Sequence, residues 1–278
     1  MSIAWRERSL GPSGERLALF ETGRTEPDAP VLLLVHGLGH WTQAAWDSIV
    51  PYLDPAWRIV ALDLPGFGSS EKPDARYDAA FFAAALDRVA ADLPPRFALA
   101  GHSLGGAIAA RYAAAHPERI TKLALIAPAG FLRVASIVYA VLGSAPAQWL
   151  LQRRPSRGFI ARILRDSVVD PRTIDPSIHE RAFALSQEPA MRRAFARVYA
   201  AAMREFADSQ GITAQLRAWK GPTLILWGRE DRYVPMRGMR DTKAVYPAAE
   251  SVIFEHAGHV VMADKPAECG AALRAFFS

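Results

Sequence analysis

The stretch Phe97-Ala98-Leu99-Ala100-Gly101-His102-Ser103-Leu104-Gly105-Gly106 decides the fold of this chain. Apolar residues 97–100 predict a buried strand, and the alanine-rich residues 107–112 predict a helix. Ser103 lies between them with a glycine two residues to either side, as a sharp, strained strand-to-helix turn requires. Such a turn raises the hydroxyl above the sheet edge, where the helix N-terminus stabilises developing negative charge. The motif predicts a nucleophile at Ser103; the alternative is a serine that only caps the helix.

Short apolar runs and helix-like segments alternate on both sides of this stretch. The strand-like runs lie at residues 31–35, 58–62, 97–100, 123–127, 223–227 and 252–254. The helix-like segments lie at residues 43–53, 77–93, 104–115, 238–246 and 265–277. This alternation predicts an α/β fold with a mainly parallel, doubly wound sheet, and it places functional sites at the carboxyl ends of the strands.

The alternation is interrupted between about residues 131 and 215, where Arg, Ala and aromatic residues recur without a convincing strand. The strand pattern resumes at residues 221–227. We therefore predict one α/β core formed by residues 1–130 and 216–278, with residues 131–215 inserted as a helical cap. A separate C-terminal half is the alternative. Some cap residues could line an apolar pocket or only pack the cap: Phe131, Val138, Tyr139, Trp149 and Phe159.

A serine nucleophile needs a general base, and histidine is the side chain that titrates nearest neutrality. Of the seven histidines, His259 follows the last strand-like run and precedes the last helix, so its loop opens at the same sheet edge as Ser103. His256 is the alternative, although it lies close to the strand and is interpreted as structural. His36 and His102 are interpreted as packing or hydrogen-bonding residues, and His40, His116 and His179 as loop, helix-end and cap-surface residues respectively.

The base in turn needs a buried carboxylate that orients the imidazole and stabilises its protonated form. Asp231 lies directly beyond the strand-like run 223–227, in Trp227-Gly228-Arg229-Glu230-Asp231. Glu230 is the adjacent alternative, and an acidic surface turn is the non-functional interpretation. Residues 127–130, which follow the preceding strand, contain no carboxylate, and this favours Asp231.

The order Ser103, Asp231, His259 is that of the α/β-hydrolases, and the motifs around these residues resemble that superfamily. The motifs are His36-Gly37-Leu38-Gly39, Asp63-Leu64-Pro65-Gly66-Phe67-Gly68-Ser69, Gly101-His102-Ser103-Leu104-Gly105-Gly106, Trp227-Gly228-Arg229-Glu230-Asp231 and Gly258-His259. They span most of the chain outside the predicted cap. The resemblance implies an oxyanion hole formed by the backbone N–H groups of Leu104 and of Leu38, or Gly39 in its place. Asp63 is interpreted as a structural residue of its turn.

Residue types narrow the expected chemistry. Epoxide hydrolases and haloalkane dehalogenases have a carboxylate nucleophile where this chain has Ser103. Meta-cleavage C–C hydrolases often have Trp directly after the catalytic His, whereas Val260 follows His259 here. We therefore expect a carboxylesterase or related acyl hydrolase that forms an acyl-enzyme and needs no metal or organic cofactor. The alternatives are a C–C bond hydrolase, a cofactor-free haloperoxidase or hydroxynitrile lyase, and a non-catalytic binding protein.

Composition and charge indicate the cellular location and the kind of partner to expect. Of the 278 residues, 51% are hydrophobic and 22% charged, which excludes a disordered chain. The single cysteine, Cys269, and an N-terminus without an export signal make a cytoplasmic location the expectation. The net charge is +5, and the basic excess lies within residues 131–220, which contain 14 Lys or Arg and 7 Asp or Glu against 19 and 21 in the rest of the chain. We interpret these as solvated arginines and expect a small, apolar ester-like substrate, with no nucleic acid or membrane partner.

Overall fold

The computed structural model describes residues 3–131, 144–206 and 209–278. Its eight strands are β1 (Arg6–Leu10), β2 (Leu17–Gly23), β3 (Val31–Val35), β4 (Arg58–Leu62), β5 (Phe97–His102), β6 (Ile120–Ile126), β7 (Thr223–Gly228) and β8 (Glu250–Phe254). They form one sheet in the order β1-β2-β4-β3-β5-β6-β7-β8. The pairs β1–β2 and β2–β4 are antiparallel, and every other pair is parallel.

Helices cover the sheet and also fill the connection between β6 and β7. Those of the core are α1 (Thr42–Trp46), α2 (Ala79–Ala91), α3 (Leu104–Ala115), α9 (Met236–Val245), α10 (Val261–Asp264) and α11 (Pro266–Phe277). Those between β6 and β7 are α4 (Ala145–Leu151), α5 (Arg157–Asp166), α6 (Pro176–Ser186), α7 (Pro189–Phe206) and α8 (Ser209–Leu216). The predicted doubly wound α/β fold with a mainly parallel sheet is confirmed.

The N-terminal strand pair and the first helix differ from the sequence prediction. The pair β1 and β2 was not predicted; β1 is mostly exposed at the sheet edge and has the polar sequence Arg-Glu-Arg-Ser-Leu, without an apolar run. The helix expected at residues 43–53 is instead α1 followed by a short 3-10 turn, Val50–Tyr52. Pro51 lies in that turn and lacks the N–H that would continue an α-helix.

The core lies on both faces of the sheet, and strand β3 is apolar along its whole length. All five residues of β3 are buried. Its odd-numbered residues pack with α2 and α3, whereas Leu32 and Leu34 pack with α1 and α11 on the other face. A continuous apolar run is what a strand buried on both faces requires. This packing fixes the carboxyl ends of β3, β5, β7 and β8 relative to one another.

We call the described residues between 144 and 216 the helical segment. It corresponds to most of the predicted cap, and the division of the chain into core and cap stays a prediction. Val138 and Tyr139 lie outside the described residues. Trp149 and Phe159 are more than half exposed, so neither lines a buried pocket, whereas Phe131 is buried against the ring of Tyr246. In the described part of the chain, no helix is long and apolar enough to cross a membrane.

Candidate active site

Ser103 lies at the turn between β5 and α3 in a strained backbone conformation. Its φ is 53° and its ψ is −116°, a region that L residues rarely adopt and that costs about 1–3 kcal/mol. The Ser103 N–H donates to the backbone oxygen of Ile126 at 2.9 Å, and its carbonyl accepts from Ala107 and Ala129. The adjacent strand and helix therefore maintain the strained turn.

Glycine is required on both sides of Ser103 because backbones approach closely there. A Cβ on Gly101 would lie 2.3 Å from the backbone oxygen of Gly105. A Cβ on Gly105 would lie 2.1 Å from the oxygen of Val35. Both distances are far shorter than any van der Waals contact. The need for small residues, which the sequence motif indicated, thus has a direct steric cause.

His259 lies after β8 and reaches Ser103 across the sheet edge. Its Nε2 is 2.9 Å from Ser103 Oγ, and its Nδ1 is 2.8 Å from Asp231 Oδ2. Because a carboxylate only accepts hydrogen bonds, Nδ1 carries the proton and Nε2 presents a lone pair to the serine hydroxyl. This tautomer can remove the hydroxyl proton.

Asp231 is held by its own loop as well as by His259. Its side chain is fully buried, and its Oδ1 accepts the backbone N–H groups of Tyr233 and Val234, each at 2.8 Å. The indole N–H of Trp227 donates to the carbonyl of Val234 at 2.9 Å and closes the loop on the end of β7. Hydrogen bonds from its own loop therefore orient the carboxylate independently of the imidazole.

The alternatives His256 and Glu230 lie elsewhere. The side chain of His256 is 83% exposed, and its Nδ1 is 4.0 Å from Glu230 Oε1. Glu230 accepts the backbone N–H of Ala257 at 3.0 Å and so stabilises the loop on its outer side. Of the two neighbouring pairs, the structure brings His259 and Asp231 to Ser103.

Of the residues expected to form the oxyanion hole, Leu104 directly follows Ser103, and Leu38 directly follows Gly37, which packs against Ser103. Leu104 is the first residue of α3, where a backbone N–H has no acceptor within the helix. A Cβ on Gly37 would lie 3.1 Å from Ser103 Cβ, so the chain that leads into Leu38 passes next to the serine. Asp63 accepts the N–H groups of Thr42 and Ser69, each at 2.7 Å, as a residue that shapes its turn.

Three further histidines lie near the site, and the protein environment lowers the pKa of each. His36 donates from Nδ1 to the Gly37 carbonyl at 2.8 Å and accepts from the Leu64 N–H at Nε2 at 2.9 Å. Burial lowers the pKa of His36, brings that of His40 to about 3, and holds that of His102 well below its ordinary value. All three are therefore neutral at pH 7.

The interpretation of His102 as a packing or hydrogen-bonding residue agrees with the structure, whereas sequence reasoning missed Tyr233 and Asp264, which contact the loops of His259 and Asp231. His102 donates from Nε2 to the carbonyl of His259 at 3.0 Å, and the two rings are 4.8 Å apart. The Tyr233 ring lies 5.5 Å from that of His259. Asp264 accepts the backbone N–H of Gly258. No sequence pattern distinguishes Tyr233 or Asp264.

A serine, a histidine and an aspartate joined by hydrogen bonds at the carboxyl ends of a mainly parallel sheet define an α/β enzyme built for nucleophilic chemistry. The chain belongs to the alpha/beta hydrolase fold family, whose family model matches residues 30–266. The predicted superfamily is thereby confirmed, and the protein is a hydrolase.

Relatives act on different bonds. The chain is 28% identical to the 2-hydroxymuconate semialdehyde hydrolase of Pseudomonas sp. (strain CF600), over 91% of this chain and 87% of that one. It is 30% identical to the pimeloyl-[acyl-carrier protein] methyl ester esterase of Aeromonas hydrophila, over 85% and 91%. The crystal structure of Cfl2 from Burkholderia cenocepacia matches with a TM-score of 0.85 and 26% identity, over 99% of this chain and 96% of that one.

Proposed function

We propose that this protein is a serine hydrolase that cleaves a carboxylic ester or related acyl substrate through an acyl-enzyme on Ser103. The observation that supports this proposal most strongly is a chain of two hydrogen bonds. Ser103 Oγ lies 2.9 Å from His259 Nε2, and His259 Nδ1 lies 2.8 Å from Asp231. Ser103 attacks the acyl carbon while His259 takes its proton and then delivers it to the leaving alkoxide. Water activated by His259 next attacks the acyl-enzyme, which releases the acid and restores Ser103.

We assign the stabilisation of the negative tetrahedral oxygen to hydrogen bonds from the backbone N–H groups of Leu38 and Leu104. Two observations support the assignment: Leu104 directly follows Ser103 at the start of α3, and Gly37, which precedes Leu38, packs against Ser103. Two aimed donors of this kind each stabilise the transition state by about 3 kcal/mol. The leucine side chains take no part.

A C–C bond hydrolase is the second candidate. The similarity to 2-hydroxymuconate semialdehyde hydrolase favours it, because that relative covers nearly the whole chain. Val260 disfavours it, since Trp often follows the catalytic His in the meta-cleavage enzymes. The similarity to a methyl ester esterase supports ester cleavage, and we take this as the first candidate.

The test combines a fluorophosphonate probe with two substrate classes: p-nitrophenyl esters of rising acyl length, and 2-hydroxymuconate semialdehyde. We expect labelling of the wild-type protein and hydrolysis of at least one ester, with both lost in Ser103→Ala. Asp231→Asn should lower kcat by about 10⁴-fold, because the imidazole then adopts the wrong tautomer. Labelling without ester hydrolysis, but with turnover of the semialdehyde, would favour the second candidate. Equal labelling of Ser103→Ala would contradict the nucleophile.

A further inference from the structure

The helical segment and the loop that carries His259 meet at the carboxylate of Asp264. Asp264 is the last residue of α10, and its Oδ2 accepts the Gly258 N–H at 2.7 Å. Its two oxygens accept the Val169 N–H at 3.1 and 3.0 Å, and Oδ1 also accepts the Asp170 N–H at 3.2 Å. One side chain thus joins the residue before His259 to two residues of the helical segment.

A second contact joins the residue after His259 to the same stretch. The backbone N–H of Val260 donates to the carbonyl of Ser167 at 2.9 Å. Ser167 and Val168 are buried, and a Cβ on Gly258 would lie only 2.8 Å from the Ser167 oxygen. The backbone on both sides of His259 therefore packs directly on residues 167–170.

The loop of Asp231 also contacts the helical segment. The Tyr233 hydroxyl donates to the carbonyl of Ile163 in α5 at 2.9 Å. The Tyr233 N–H donates to Asp231 Oδ1 at 2.8 Å, and its ring lies beside that of His259. Residues 163–170 are consequently bonded to the loops of both the histidine and the aspartate.

The backbone of Ser103, by contrast, has no hydrogen bond to the described residues of the helical segment. Its backbone bonds reach β6, α3 and Ala129, none of which belongs to the helical segment. A displacement of residues 163–170 would therefore pull Gly258 and Val260 without moving the serine. Proton transfer between Ser103 and His259 is sensitive to such a displacement, because a misplacement of about 1 Å can cost about 100-fold in rate.

We propose that Asp264 is a positioning residue that holds His259 within reach of Ser103 and makes this distance depend on the helical segment. The proposal rests on the proposed function of Ser103 and His259. Asp264 acts through Gly258 and not on the reacting atoms. A carboxylate suits the role because it accepts three N–H groups at once. An asparagine has a single carbonyl oxygen and keeps only part of the set.

The experiment compares Asp264→Ala and Asp264→Asn with Glu255→Gln. Glu255 is a matched control because it lies in the loop that carries His259, but its carboxylate is exposed and pairs with Arg229 at 2.7 Å. The measurements are the rate constant of fluorophosphonate labelling at Ser103, and kcat and KM for a p-nitrophenyl ester. In Asp264→Ala we expect labelling and kcat to fall by about 10- to 100-fold with KM near its wild-type value. Asp264→Asn should recover part of the loss, and Glu255→Gln should match the wild type.

Tyr233→Phe adds an independent arm, because it removes only the bond to Ile163 and keeps the ring beside His259. We expect a smaller fall in kcat with unchanged KM. A folded Asp264→Ala protein with wild-type labelling and kcat, or with a loss confined to KM, would overturn the proposal. If Asp264→Ala does not fold, wild-type rates in both Asp264→Asn and Tyr233→Phe would overturn it. Labelling that persists in Ser103→Ala would instead contradict the proposed function, because Ser103 would then not be the nucleophile.

Discussion

Two glycines, each the second residue of a helix, show how the two regions of this molecule differ. Gly105 in α3 belongs to the core, and a Cβ there would lie 2.1 Å from the Val35 oxygen and 2.5 Å from the His36 oxygen. Gly158 in α5 belongs to the helical segment, and a Cβ there would meet no atom within 4 Å. The core is thus positioned by backbone contacts that leave no space for a side chain. At Gly158, the surface of the helical segment leaves that space open.

The contrast extends to polar contacts. In the core, a buried histidine, His102, donates to the carbonyl of His259, and Asp63 accepts two backbone N–H groups. In the helical segment, many polar contacts lie on the surface, among them the pair between Arg157 and Glu180. Changes in the core should therefore have large effects, and equivalent changes in the helical segment should have small ones.

The largest effect is expected for Gly105→Ala. The added methyl group would overlap two backbone oxygens that belong to β3 and the loop after it, and neither can move without displacing the sheet. We expect a loss of more than about 4 kcal/mol in the free energy of unfolding, or no folded protein. Urea denaturation followed by circular dichroism measures it. A variant within about 1 kcal/mol of the wild type would contradict this account of the core.

Acid should destabilise the core next in order of size. The folded-state pKa values of His36, His40 and His102 lie below the value of 6.5 that they have when unfolded, mainly because of burial. Above pH 6.5 these histidines are neutral in both the folded and the unfolded state, and the free energy of unfolding is at its full value. As the pH falls below 6.5 the unfolded state takes up protons first, so the free energy of unfolding falls; for His40 this fall continues to about pH 3. Each histidine lowers the free energy of unfolding by up to about 1.4 kcal/mol for each pH unit of acidification in that window.

Urea midpoints between about pH 7 and pH 5 test this prediction. His102→Gln should reduce the dependence on pH by about one proton, because glutamine does not titrate. Equal stability of the wild-type protein at both ends of this range would contradict it. So would an unchanged dependence on pH in a folded His102→Gln variant.

The contrast between apolar strands and dispersed polar contacts explains what could be predicted from the sequence. Ser103 and Asp231 follow β5 and β7, which are buried along their whole length, and His259 follows the apolar end of the edge strand β8. The parallel topology alone therefore brings their loops to one edge of the sheet. Edge strand β1 is polar and gave no such signal. The contacts of Asp264 could not be predicted, because its partners are backbone N–H groups at Val169 and Asp170, nearly a hundred residues away, and any residue type provides these.

Gly158→Ala should have a small effect of opposite sign. Alanine has the higher helix propensity, and the methyl group would point into open space. We expect a gain of up to about 1 kcal/mol in the free energy of unfolding, or a correspondingly higher melting temperature. The matched comparison with Gly105→Ala removes helix propensity as a variable, because both positions are second in their helices. A loss of stability in Gly158→Ala would show that this surface of the helical segment is covered by other residues.

The smallest effect is expected at the ion pair between Arg157 and Glu180. The two side chains are 59% and 67% exposed although their atoms approach to 2.5 Å, so solvent screens most of the attraction. Arg157 also lies 4.4 Å above the ring of Phe183, and replacement of the arginine would remove that contact as well. A double-mutant cycle of Arg157→Gln and Glu180→Gln isolates the ion pair, and we expect a coupling below about 0.5 kcal/mol that falls further in salt. A coupling several times larger would mean that the helical segment depends on specific polar contacts as strongly as the core depends on its backbone approaches.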